Sequence, residues 1–155
     1  MGMLPRTLLA SFLFLGCGAE LTDLHRAELA EVNCGGVSTS CSHEGTRIVD
    51  FEGAFLETHT CVEGVDGGSP RWGPERGETV STRPLTEGQL KRVRTALEGL
   101  SVTQTQIDTL DGPMSTVTLT GKTVKTMSPG ATCGPQSYLK IVSGFPALLA
   151  TFDAL

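Results

Sequence analysis

Along residues 85–100 the apolar positions recur at helical spacing, with Leu90, Val93, Leu97 and Leu100 on one face. Thr86 and Gln89 stand three apart as a capping box, and Leu85 and Leu90 are placed to clamp the entry as a hydrophobic staple. Gly99 is a natural stop. The pattern predicts a helix over 87–98. A second helical stripe, Phe145, Leu148, Leu149, Phe152 and Leu155, follows Ser143-Gly144, with Pro146 where a first turn tolerates it.

Elsewhere the period shortens. Residues 46–62 are rich in β-branched and aromatic side chains and read as strand, with Gly53 a bend. Residues 78–83, 101–107 and 114–127 read as further strands. The last contains a turn at Gly121-Lys122, where glycine in the first loop position suits type II′. Val117, Leu119 and Val124 supply its inward face. Residues 33–45 read as a loop, and residues 63–77 are a Gly- and Pro-dense break that carries the single tryptophan, Trp72. Residues 17–32 give only a partial stripe, Leu21, Leu24 and Leu29, and read as a tether with a short helix. The expected fold is α+β in the order β-β-α-β-β-α, a small antiparallel sheet with two helices on one face, over residues 46–155.

The N-terminus is of another kind. One charge, Arg6, precedes an apolar run over 8–15 that ends in Leu13-Phe14-Leu15-Gly16-Cys17. The run has signal-peptide length and falls short of the roughly 20 apolar residues a membrane-spanning helix needs. The segment resembles the lipobox of bacterial lipoproteins, with Phe14 where an aliphatic residue is usual. The resemblance implies that residues 1–16 are removed, that Cys17 receives the acyl chains, and that residues 17–45 form a lipidated tether and Cys-containing loop. It places the protein at the cell envelope and favours the outer membrane over the inner. One acyl chain binds a bilayer only marginally, so the two or three of a lipoprotein cysteine account for stable anchoring.

Loss of residues 1–16 removes Arg6 from 12 basic and 17 acidic side chains, taking the formal charge from −5 to −6. That balance argues against nucleic acid as a partner. Four cysteines remain besides Cys17, namely Cys34, Cys41, Cys61 and Cys133. An even number in an exported chain is most simply two disulfides stapling the domain. Three pairings are possible. The short CGGVSTSC loop favours Cys34–Cys41 with Cys61–Cys133.

Catalytic motifs are not complete. Gly121-Lys122-Thr123 lacks the earlier glycine of a phosphate-binding loop, since Thr116 stands there. His43-Glu44 lacks the second histidine of a zinc-protease helix, because Arg47 occupies its place, and no Gly-x-Ser-x-Gly elbow occurs. The mirrored spacings Cys41-x-His43 and His59-x-Cys61 would gather four soft or borderline ligands if 41 paired with 61 and 43 with 59. A turn centred near Glu52-Gly53 would instead separate the histidines, and oxidation would remove the thiolates. His25 reads as exposed. Trp72 is either a binding finger or a lid folded back on the sheet.

The capped helix pattern LTxxQLxxVxxxL and the terminal PALLATFDAL, in the order strands, helix, strands, helix, resemble emfourin-type inhibitors of bacterial metalloproteases over about residues 46–155. That resemblance implies a protease inhibitor. The residues themselves point to a membrane-anchored, non-enzymatic module that binds or supports an envelope or secreted protein, with no cofactor. A metal-binding domain is the third reading.

Overall fold

Two-residue alternation governs more of this chain than helical spacing does. The computed structural model describes residues 21, 23–33, 43–63, 76–105, 113–130 and 138–155. Their elements are β1 (Arg26–Asn33), β2 (His43–Asp50), β3 (Phe55–Glu63), β4 (Arg76–Pro84) and α1 (Glu87–Glu98). There follow β5 (Ser101–Thr105), β6 (Pro113–Thr120), β7 (Val124–Ser128), β8 (Tyr138–Ser143) and α2 (Phe145–Asp153). The strands form one eight-stranded sheet in the order β4-β3-β2-β1-β6-β7-β8-β5. Every neighbouring pair is antiparallel except β7 and β8.

This corrects the expected small sheet and the order β-β-α-β-β-α. The architecture is a large mixed sheet with two short helices. The largest difference lies at residues 26–33, which form a central strand and not a tether helix. Ala, Glu and Leu favour helix locally, but tertiary pairing overrides that weak preference. As a strand this segment has a partner on each side, β2 and β6, and buries Ala27 and Leu29 at 0 and 2% exposure. Leu21 and Leu24, ahead of β1, are buried with Ala27 and Leu29. The expected disulfide staples involve Cys34, Cys41 and Cys133, which lie outside the described residues. Cys61 is on β3, its backbone opposite Glu78.

Register explains the core. Opposite one another across the sheet run Leu56, Val49, Ala27 and Leu119, and in the next row Leu29, Val117, Met127 and Leu139. On this face pack Val93 and Leu97 of α1 with Leu148 and Phe152 of α2. The opposite face is mixed, with rows Glu57–Ile48–Glu28–Thr118–Thr126 and His59–Thr46–Ala30–Thr116, in which Ile48, Ala30 and Thr46 are buried.

Both helices end as their sequences dictate. The Thr86 hydroxyl accepts from the Gln89 amide and the Gln89 side chain accepts from the Thr86 amide, with Leu85 buried and Leu90 packed on the core. At the start of α2, Gly144 has φ +90°, and a Cβ there would strike the Gly99 carbonyl at the end of α1. Only glycine meets both demands. The β6–β7 turn differs from the expected two-residue form. Thr120 pairs with Val124, so three residues, 121–123, make the loop, and among the described residues positive-φ glycine is confined to Gly144. Gly121 instead serves close approach, since a Cβ would lie 2.5 Å from the Asp23 carbonyl oxygen.

Candidate functional site

The sheet has two ends of different character. At the near end lie the start of β1, the β2–β3 turn at 51–54, the β6–β7 turn at 121–123 and the entry to α1. Leu21 and Leu24, just ahead of β1, are buried in the core. The Arg94 guanidinium donates to the Leu21 carbonyl at 2.8 Å and the Leu24 carbonyl at 3.5 Å, and lies 4.3 Å over the Phe51 ring. Two side-chain pairs form at this surface. Lys122 meets Asp23 at 2.7 Å and His25 meets Glu52 at 2.5 Å. Hydrogen bonding to Lys122 holds the Asp23 carboxyl below its ordinary pKa, and Asp23 in turn raises that of Lys122. His25 is exposed, as expected, although it stands in the continuation of β1.

At the far end Glu63 of β3 pairs with Arg76 of β4, so the 64–75 connection leaves and returns there. Trp72 falls within it and lies outside the described residues. The strand this connection feeds, β4, is an edge strand. Its successive residues Thr79, Val80, Ser81 and Thr82 are all exposed, so it contributes to neither core face, and Val80 is 54% exposed. An edge strand keeps unpaired backbone donors and acceptors along its outer side. The sequence signal for this is in ETVST, where Val80 is the single apolar residue.

The alternative metal set, Cys41, His43, His59 and Cys61, needs residue 43 opposite residue 59, and the observed register differs from that. The turn at 51–54 pairs Thr46 with His59 and Gly45 with Thr60, so His59 stands three positions along β2 from His43. Cys41 lies outside the described residues, and of His43 and Cys61 the backbone alone is described. Among the described residues no three His, Cys, Asp or Glu side chains gather as metal ligands would. His59 Nε2 is 2.6 Å from Glu57 Oε1 on the mixed face. The neighbouring Thr46 hydroxyl is buried, with no hydrogen-bond partner among the described residues.

A groove of about 490 Å³ runs between the helices, with Gly88 and Thr95 on one wall, Ala147 and Thr151 on the other, and Lys91 and Arg92 alongside. It contains no acid–base pair. No helix among the described residues is long and apolar enough to cross a membrane. The sequence patterns that resemble the emfourin-type inhibitors do form α1 and α2, but against a sheet of eight strands. Comparison with protein-family descriptions, characterised proteins and solved structures finds no match to this chain.

Proposed function

We propose that the mature chain is an acyl-anchored envelope lipoprotein that acts by binding another protein, without catalysis of its own. The lipobox-like segment ending at Cys17 supports the anchor. The observation that carries the binding reading is β4, an edge strand exposed on both faces and fed by the Trp72-bearing connection. A strand that buries nothing for the core is available for a partner, through backbone pairing along its outer edge and side-chain contacts from its faces. Such a surface needs neither cofactor nor titratable cluster. The partner is an envelope or secreted protein.

Two measurements test this. Metabolic labelling with a fatty-acid analogue should mark the wild type and fail on Cys17→Ser, which should also leave the membrane fraction. Co-purification from detergent-solubilised membranes should recover a partner that Trp72→Ala and Val80→Asp each weaken without lowering the melting temperature. A Trp72→Ala protein that binds normally but melts early would assign Trp72 to packing. Unaltered recovery with both variants would remove this edge from the binding surface. Turnover of a substrate by the purified domain, lost on changing His59, would overturn the non-enzymatic reading.

A further inference from the structure

We infer that the near end of the sheet, the edge carrying Asp23, Glu52 and Lys122, is seated against the phospholipid headgroups of the anchoring bilayer, with β1 directed away from it. This rests on the acyl anchor proposed above and adds what the anchor alone does not give, an orientation. Only four peptide steps separate Cys17 from Leu21. Fully extended they span at most about 14 Å. Leu21 has little freedom to lengthen that reach, because its side chain is 6% exposed and its carbonyl is held by Arg94. β1 then runs eight residues away from this point, about 26 Å. The near end is thus held within a short span of the membrane while the far end, where Glu63 and Arg76 pair, stands well beyond it.

The composition of the near end suits this position. It is built of two short turns, in which Asp23 pairs with Lys122, Glu52 lies beside His25, and Asp50 accepts from the Glu52 and Gly53 amides. The Asp23–Lys122 pair brings no net charge to the headgroup surface. Val124, 66% exposed just after the 121–123 turn, adds an apolar contact at the same level. Edge strand β4, by contrast, exposes Thr79 and Val80 toward the far end, clear of the lipid.

The test uses the full-length acylated protein in vesicles of phosphatidylethanolamine and phosphatidylglycerol, with a photo-crosslinking amino acid at exposed Thr123 or exposed Thr79. Lipid adducts should be several-fold more abundant at Thr123 than at Thr79. A flexible Gly/Ser linker of about twenty residues after Glu20, with an r.m.s. span of about 25 Å, should erase that preference while fatty-acid labelling persists. Labelled protein with equal adducts at both positions, or with more at Thr79, overturns the orientation and leaves the anchor standing. A preference that survives the linker also overturns it, since the short tether is then not its cause. Wild-type protein without a fatty-acid label overturns the anchor and the orientation together.

Discussion

The Arg94 guanidinium on α1 holds the backbone carbonyl of Leu21 across 73 residues of sequence, at 2.8 Å. It also reaches the Leu24 carbonyl and covers the Phe51 ring. One side chain therefore joins the segment ahead of β1, the β2–β3 turn and the first helix.

Replacing Arg94 with Ala should cost about 2–3 kcal/mol, the value of charge-assisted hydrogen bonds plus a cation–π contact. Urea unfolding measures the loss, and amide exchange should show the added opening concentrated at residues 21–25. Arg94→Lys should recover only part, because an ammonium cannot present two parallel donors and a stacking plane. Full stability in Arg94→Ala would mean that apolar burial of Leu21 and Leu24 alone fixes the segment.

Two glycines should respond oppositely to alanine. At Gly121 a Cβ would sit 2.5 Å from the Asp23 carbonyl oxygen, so the turn and the segment before β1 must part, at about 1–3 kcal/mol. At Gly88, inside α1, nothing lies within 4 Å of a Cβ. There alanine should stabilise by about 0.5–1 kcal/mol, the helix-propensity difference. Thermal melts of both variants settle the pair, and a stabilised Gly121→Ala would refute the close approach.

The Asp23–Lys122 pair sets a pH window. The Asp23 pKa is lowered from 3.8 in the folded state, so its contribution is full above 3.8 and is lost as pH falls through the depressed value. The Lys122 pKa is raised from 10.5, so its contribution is full below 10.5 and is lost as pH rises through the elevated value. Lys122 is exposed and Asp23 half-exposed, so solvent screens the pair and the effect is small. The stability difference between wild type and Lys122→Met should be constant between these limits and vanish beyond each. A difference that instead changes near neutral pH would point to another group.

The helix-covered core and the exposed position on β8 should differ sharply in tolerance. Leu148 is 0% exposed between the helices and the sheet, and Leu148→Ala should cost about 2–5 kcal/mol. Val142 on β8 is 59% exposed, and Val142→Thr should leave the melting temperature nearly unchanged. Equal effects would mean that the exposed position is covered in solution.

Both helices were legible because their signals are local. The Thr86–Gln89 box and the Leu148–Phe152 stripe need no partner to be recognised, and α1 spans 87–98 as expected. The β2–β3 bend at Gly53 was legible for the same reason. β1 was not. Its Ala27 and Leu29 alternate with Arg26 and Glu28, but the residue types favour helix, and the pairing that decides the matter is with β6, far along the chain. β8 carries a local signal too, with Leu139 and Ile141 flanking Lys140. The register separating His43 from His59 hung on the position of one turn. The observed register is offset by three residues from one that sets 43 opposite 59, an odd step that exchanges which face of β2 meets His59.

Placing β1 at the centre of the sheet also sets an order in time. Arg26 pairs with Asp50 on one side and with Thr120 on the other. As the chain emerges, β1 can meet β2 early, but its second side stays open until β6 has followed. Closing so long an intervening segment is slow compared with forming a hairpin. The middle of the sheet is therefore among the last parts to become complete.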